Sequence, residues 1–361
     1  MFSGSYEDND VQFLLKKINI SSTSVEDKEQ KIQKESGHYS EMITHENPPT
    51  KEYMNIFYDA VKQNGEKFSY HLWLLSKKIE LDYVKEKEIV IVSLARAGTP
   101  IGVLLTKILR FYYDKKISHY SVSIIRDKGI DVNAIAHIIK KHKDTNIVFV
   151  DGWTGKGVIG EELKSSINNI NKDKDTNISS NLYVVADISG TAYWSATHED
   201  YLLPSAVLNS TVSGLVSRTI LNKDYIFEGD FHGCIYYEHM KENDVSVWFI
   251  NEIVKIIKNK EKNYIFVDNI LSNKDELRHK SNLLLKFFMD KFNFSDRNFI
   301  KPGVGESTRV LLRRLPKEIW IKDETDTSLK HLIYLAKSKS IKVHIDSNLS
   351  YNAVSIIEEL D

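Results

Sequence analysis

The string Val150-Asp-Gly-Trp-Thr-Gly-Lys-Gly157 holds the densest chemistry in the sequence, set between an apolar run and a helical one. Glycines, a hydroxyl and a lysine at the start of a helix offer backbone N–H groups and the positive end of the helix dipole to a phosphate. On those grounds Gly152, Thr154, Gly155, Lys156 and Gly157 read as a phosphate cradle, and Asp151 at the strand end is placed for a ligand's hydroxyls or a metal ion. It is not a Walker loop, because Gly157 follows Lys156 where Ser or Thr is required. A tight turn in which glycine is only steric is the alternative. In a second string, Ser93-Leu-Ala-Arg-Ala-Gly-Thr-Pro100, Pro100 and Thr99 read as the first turn and cap of a helix. Ala97 and Gly98 let backbone approach a ligand, and the Arg96 guanidinium can take two phosphate oxygens at once. A third string, Arg126-Asp-Lys-Gly-Ile-Asp131, adds Arg126 and Lys128 to a glycine turn, with a merely solvated turn as its alternative. A different chemistry resides in His232 and Cys234, two apart and therefore on one face of a strand, with Asp230 and His239 nearby. A thiol nucleophile needs a base in hydrogen-bond reach and a group orienting that base. A lone cysteine beside Ile235, Tyr236 and Tyr237 also reads as a small buried apolar residue.

The elements around these strings alternate. Apolar runs at 88–95, 119–125, 146–151 and 181–188 predict buried strands, and helical periodicity covers 99–113, 132–142 and 157–170. That pattern predicts an α/β fold, a doubly wound and mostly parallel sheet. In such a sheet the loops after the strands share one rim, where ligands bind. Residues 1–50 are polar and read as an irregular segment, with 21–36 a solvated tether. Residues 51–240 read as the main domain, 241–298 as a mixed connection with a strand at 264–269, and 299–361 as a small, loosely packed α/β unit ending in a helix at 350–360 that Ser350 caps. The stretch 209–219 could line the acceptor pocket or join an oligomer interface, with a polar helix surface as the alternative that composition favours, and His38, Tyr39 and Glu41 could fold over the rim.

Composition sets limits. With 361 residues, 42% hydrophobic and only 16 Gly and 6 Pro, the chain is neither disordered nor of low complexity. Lys plus Arg total 49 against 50 Asp plus Glu, a net charge of −1, so no global field recruits nucleic acid or anionic membrane and any polyanion site must be local. One cysteine excludes an internal disulfide and a multi-thiolate zinc site, and it fits a reducing compartment. No apolar run approaches the ~20 residues that span a bilayer, nor does the start resemble a signal peptide, so a soluble, cytoplasmic protein is expected. Residues 299–361 hold ten Lys/Arg and nine Asp/Glu, of which only Arg309, Arg313, Arg314 and Lys317 make a plausible phosphate-facing patch, with a solvated helix face as the alternative.

Three rim loops with Arg-x-Gly, Arg-x-Lys-Gly and Asp-Gly-x-Thr-Gly-Lys-Gly resemble those of type I phosphoribosyltransferases. The strings HYSEM (38–42), VSLARAGTPIGVLL (92–105), HYSVSIIRDKGID (119–131), VFVDGWTGKG (148–157), ATHEDYLLPSAVLNSTVSGLVSRTIL (196–221), FHGCIYY (231–237) and VGESTRVLLRRLP (304–316) narrow the resemblance. They are similar to a bacterial branch found with tellurite-resistance and stress operons, the phosphoribosyltransferase-like or StiP-type family, sometimes labelled a cysteine protease, with a Pelota-like RNA-binding domain at the carboxyl end. The resemblance implies an enzyme that binds a ribosyl phosphate such as phosphoribosyl pyrophosphate with Mg²⁺, and RNA through residues 299–361. Arg96, Arg126, Lys128 and Mg²⁺ held by Asp151 would then stabilise a departing diphosphate. Asp187, Tyr193, Trp194, His198 and Tyr201 would flank a base-like acceptor. The chain departs from the general transferase motif in having Gly152, not a second acid, after Asp151. The other implied readings are a cysteine peptidase using Cys234 and His232, and an RNA-binding protein with a non-catalytic ribosyl-phosphate domain.

Overall fold

The computed structural model describes residues 1–35, 37–268 and 273–360. Strands β1 (Gln12–Leu14) and β2 (Lys16–Lys17) are followed by helix α1 (Val25–Lys34) and the long helix α2 (Lys51–Asp82). The expected alternation then runs β3 (Glu88–Ala95), α3 (Thr99–Tyr112), β4 (Lys116–Ile125), β5 (Gly129–Ile130), α4 (Val132–Ile139), β6 (Ile147–Thr154), α5 (Val158–Lys174), β7 (Leu182–Asp187) and β8 (Trp194–Thr197). The main sheet has the order β1-β4-β3-β6-β7-β8, and every neighbouring pair along it is parallel. Its strands are apolar on both sides because both sides are covered. Val90, Val92 and Leu94 of β3 pack with Ile135 of α4 and Ile167 of α5, while Ile89 and Ile91 pack with Leu72 of α2 and Leu105 of α3. Since β4 lies to one side of β3 and β6 to the other, the winding reverses between β3 and β6, and a crevice opens there at the strands' carboxyl ends.

Beyond the sheet lie β9 (Gly233–Cys234), which pairs with β2, then α6 (Ser246–Lys260) and α7 (Lys274–Phe292). A second, separate sheet comprises β10 (Ile300–Pro302), β11 (Pro316–Ile321), β12 (Lys342–Ile345) and β13 (Ala353–Ile357), in the order β10-β13-β11-β12, with helices α8 (Val304–Arg313) and α9 (Lys330–Ser338). No helix among the described residues is long and apolar enough to cross a membrane.

Several expectations are corrected. Residues 1–50 are not irregular throughout, nor are 21–36 a solvated tether. β1 adds to the edge of β4, where Phe13 and Leu14 are fully buried, and Ser24 caps α1 by accepting from Asp27 N–H. A run of three residues is too short for periodicity to reveal, and only the sheet edge gives it a partner. The final element is a strand, not a helix. Ala353–Ile357 is buried throughout and central in its sheet, a place that favours Val354, Ile356 and Ile357 over helix formation. Residues 264–268 form no strand, and 269 lies outside the described residues. The cap of α3 is Gly98, and the Thr99 hydroxyl instead meets that of Ser121 at 2.7 Å. The stretch 209–219 is mostly buried, with a single short 3₁₀ turn at Ser210–Val212 in place of a polar helix surface, and its Asn209, Ser213, Arg218 and Thr219 line a cavity. The carboxyl unit is not loosely attached. Leu332 and Leu335 of α9 belong to the same apolar core as Leu72, and Tyr334 stacks on Tyr53 at 5.9 Å.

Because the Leu14 side chain is fully buried, Leu14→Ala is expected to cost about 2–4 kcal/mol in urea unfolding. A loss under about 0.5 kcal/mol, as at a solvated tether, would contradict the buried placement.

Candidate functional site

The carboxyl ends of β3, β4 and β6 face helix α8 across a cleft formed by adjoining cavities of about 280, 410 and 190 Å³ that share Tyr39 and Arg309 as walls. Strand β6 continues through the expected loop to Thr154, so Asp151 and Trp153 stand on a strand, half-buried in the cleft wall. Gly157 then takes φ +81° as the residue before α5, and a Cβ there would meet Thr191 at 2.4 Å. This glycine is needed sterically. So is Gly98, whose added Cβ would lie 2.8 Å from the Leu94 carbonyl oxygen, leaving Ala97 as the loop residue on the cleft. Gly152 and Gly155 stay in the strand and turn beside Asp151 and Lys156.

Positive charge collects here. The cleft is lined by ten Lys or Arg side chains and three Asp or Glu among the described residues. From the sheet come Arg96 and Arg126; from α8, Arg309 and Arg313, with Arg314 just after it. The Arg309 guanidinium lies 4.3 Å over the Trp153 ring and bonds Glu306 at 2.8 Å. Arg313 donates to the Asn209 side chain at 2.9 Å, and Arg314 is paired with the buried Glu29 of α1 at 2.7 Å. Tyr39 bridges the two arms: its hydroxyl accepts Arg126 N–H at 2.9 Å, and its ring lies within 5.5 Å of Arg126 and 5.6 Å of Arg218. His38 stands beside it at the same rim loop, its Nε2 4.0 Å from Asp127.

Burial and like-charge neighbours weaken these cations. Burial, with Arg218, Arg314 and Arg313 close by, brings Lys28 down to about 7 against the pull of Glu29. Burial, then Arg314 and Arg126, bring Lys301 down to about 8. Lys156 falls well below its usual range, chiefly through burial and then Lys301, and Arg313 through burial, then Arg96 and Arg309. Asp151 is pushed the other way, up to about 6, because burial outweighs the attraction of Arg309. An anion entering the cleft would relieve all the cations together.

Not every expected residue faces this cleft. Lys128 is exposed and outside it. Lys156 lines the cleft but is tied to the carboxyl unit, donating to the carbonyls of Arg297 at 2.9 Å and Ile300 at 3.1 Å. The Thr154 hydroxyl donates to Asp187. The residues expected to flank an acceptor are largely engaged with the protein, although His198 and Tyr201 line a cavity of about 620 Å³ beside Asp200. Asp187 is fully buried and accepts from Ser189 and Ala192 N–H at 3.0 and 2.9 Å, Trp194 is buried with Nε1 on Asp268, and Tyr201 is buried with its hydroxyl on His71 Nδ1 at 2.9 Å. His198 Nδ1 meets the Asp187 carbonyl at 3.0 Å, and Tyr193 is exposed. These side chains tie loop 188–201 to α2 and β7; apolar and hydroxyl-bearing residues look alike in sequence whether they hold a loop or a ligand. Lys317 pairs at the surface with Glu358, away from the cleft. Asp151, the residue expected to hold magnesium, stands in the cleft wall. Among the described residues, no three His, Cys, Asp or Glu side chains gather as a metal site, and Glu306, across from Asp151, is taken by Trp153 and Arg309.

Cys234 and His232 do not form a working pair. His232 Nδ1 meets Ser123 Oγ at 2.8 Å, and its backbone N–H donates to Asp131 at 2.6 Å. Among the described residues no hydrogen bond joins the two side chains, Cys234 is fully buried, and burial pushes its thiol up to about 12. The residues that sequence reasoning missed are Lys28, Glu46, Lys301 and Glu306. Only Glu306, one helical turn before Arg309, carried a local signal.

A family model described as "Tellurite-like stress resistance cysteine protease StiP" matches residues 4–254, and one described as "PELOTA RNA binding domain" matches residues 279–359. Over 99% of its length, the chain is 36% identical to "Cysteine protease StiP" of Acinetobacter baylyi, covering 95% of that protein. A hypoxanthine phosphoribosyltransferase of Trypanosoma cruzi aligns at 10% identity with a TM-score of 0.28, over 38% of this chain and 82% of that one. A second structure, of the enzyme of that name in complex with IMP, aligns over 51% and 93% with a TM-score of 0.28, too low to bear on function. The expected phosphoribosyltransferase activity is therefore overturned: the family and the relative matched along the chain are described as cysteine proteases. On these matches, the chain belongs to the StiP family and ends in a region matching the Pelota RNA-binding domain.

Proposed function

We propose that the cleft between the main sheet and α8 binds a single strand of RNA. The observation that carries this reading is the gathering of ten cations against three carboxylates in one cleft with the aromatic rings of Tyr39, Trp153 and Tyr237. A cationic groove interleaved with stacking platforms is what a single strand requires. The match of residues 279–359 to an RNA-binding domain supports the reading, since α8 lies within it. The finer fold expectation, a type I phosphoribosyltransferase-like sheet, finds support in the strand order β4-β3-β6-β7-β8 and in a cleft at the β3–β6 reversal, without the transfer chemistry. The small unit is taken to begin at residue 299, next to the first strand of the second sheet. A lone buried cysteine is consistent with a cytoplasmic location.

A thiol peptidase is the second reading, carried by the description of the matching family. Cys234 is the chain's only cysteine, so a thiol step would have to pass through it, with the β2–β9 ladder parted to expose it.

Three outcomes are expected. In fluorescence anisotropy with a labelled hexauridylate, log Kd should rise with log salt at a slope near 3, as for about four phosphate contacts on a single strand, and Arg313→Ala should lower that slope by about 0.7. A flat salt response would refute the cleft as a polyanion site. Affinity should also rise as pH falls from 9 to 5.5. Lys301 gains its proton near 8, Lys28 near 7 and Asp151 near 6, and each step makes the cleft more positive. Asp151→Asn should tighten binding at pH 7.5 and remove the step near pH 6; weaker binding by this variant would count against the charge argument. For the thiol, folded protein should react with iodoacetamide about a hundredfold more slowly than free cysteine, because burial keeps the thiol protonated. Cys234→Ala should cost roughly 1–2 kcal/mol of stability and leave RNA binding intact. Fast alkylation, together with a peptidase activity that Cys234→Ala abolishes, would establish the second reading instead.

A further inference from the structure

Glu46 sits on the chain between Thr44 and α2, where residues 45–50 form neither helix nor strand. Its carboxylate reaches into the cleft wall and is held from several sides. One oxygen accepts the Ser210 backbone N–H at 2.7 Å and the Ser210 hydroxyl at 2.5 Å, and the other accepts from Arg96 Nη2 at 2.9 Å. Arg313 is the next charge, and although burial opposes ionisation, Arg96, Arg313 and Ser210 together hold the carboxyl below its usual range. A backbone N–H, a hydroxyl and two guanidiniums are a complete donor set for a phosphate oxygen cluster. The Arg96 side chain, only 5% exposed, adds a second and independent observation: its Nε makes no hydrogen bond to the protein, while Nη1 is satisfied by the Val216 carbonyl at 2.8 Å. Glu46 thus meets only part of what Arg96 offers, as one carboxylate standing where an anion with more oxygens would use every donor.

We propose that Arg96, Ser210 and Arg313 form an oxyanion subsite that Glu46 fills as an internal stand-in, and that a phosphate of the bound strand displaces it. This rests on the RNA-binding reading of the cleft and adds a competitor built into the chain. Residues 45–49 can move between two fixed ends, because they belong to no helix or strand: Thr44 is bridged to Thr23, and Thr50 caps α2 and meets the Tyr334 hydroxyl at 3.2 Å. The cleft in the free protein is therefore partly self-neutralised, which limits the binding of stray anions that cannot outcompete a tethered carboxylate.

The test compares the full-length protein with Glu46→Gln in binding to a 5′-phosphorylated, labelled hexauridylate, with Asp127→Asn as the control for loss of an ordinary charge. Asp127 is exposed and pairs with Arg126 at 2.9 Å beside the cleft. Glu46→Gln should bind about tenfold more tightly than the unmodified chain, and Asp127→Asn less than about twofold more tightly. Equal or weaker binding by Glu46→Gln, with the unmodified chain binding normally, would show that Glu46 merely neutralises Arg96 and overturns the inference while the cleft reading stands. Absence of binding by both proteins overturns both. Should Glu46→Gln fail to fold, hydrogen exchange on the unmodified chain decides: amides 44–50 should exchange at least fivefold faster at saturating hexauridylate, and unchanged or slower exchange overturns the stand-in.

Discussion

The Asp200 carboxylate, on the loop after β8, accepts the backbone N–H of Val304 at the start of α8 and that of Asn352 just before β13, both at 2.8 Å. The arrangement fixes the first turn of α8 against the main sheet, and a carboxylate at a helix N-terminus is the favourable sign for the dipole. Burial nonetheless pushes Asp200 up to about 6, so the group is held ionised mainly by the backbone donors it serves. Everything in the cleft follows from this placement. Arg309 reaches Trp153, and Arg313 reaches Asn209, only because α8 is held at that height and rotation. Lys156 and Tyr351 reinforce it by donating to carbonyls across the same junction, Lys156 to Ile300 and Tyr351 to Ile188.

Holding so many cations in a water-poor space is costly, and the chain meets that cost in two ways. Glu29, Glu46 and Glu306 each neutralise one arginine, while Lys28, Lys156, Arg218 and Arg313 lean on carbonyls, an amide and an aromatic ring. An excess of this kind destabilises the free protein and is released when an anion enters, so folding energy is given up in favour of binding. The N-terminal segment has a double part in this. Its helix α1 supplies Glu29 and Lys28 to the carboxyl unit, and the chain after it supplies Tyr39 and Glu46 to the cleft.

The family's description and the geometry pull in different directions at Cys234. The description names a cysteine protease, whereas the thiol is sealed between β2 and its surroundings with its proton held firmly. His232, the nearest base along the strand, is turned to Ser123. Nothing in this arrangement activates a nucleophile, for which a lowered thiol pKa and an adjacent free base are the physical requirements.

Local pattern determined much of the architecture. Alternating apolar strands and amphipathic helices between Glu88 and Asp187 specify a two-sided parallel sheet, because no other packing covers strands that are apolar on both faces. That pattern placed Arg96, Arg126 and Asp151 at one rim, as strand ends in such a sheet must be neighbours. It failed where an element is short or where a partner is distant. β1 is three residues long and is a strand only because β4 has a free edge, and residues 353–357 became a strand because β10 and β11 leave a central gap that β-branched side chains fill. The acceptor residues Asp187, Trp194 and Tyr201 are polar or aromatic for reasons of packing that sequence cannot separate from ligand contact. Tertiary structure alone decided the meaning of Arg309 and Arg313. In sequence they are one basic face of a helix in a unit of nearly balanced charge; in the folded chain, more than a hundred residues of separation close and set them opposite Arg96 and Trp153. The reason is that electrostatic fields add in space and not along the chain, so a site assembled from α1, the 38–46 segment, the sheet rim and α8 leaves no signature in any one of them.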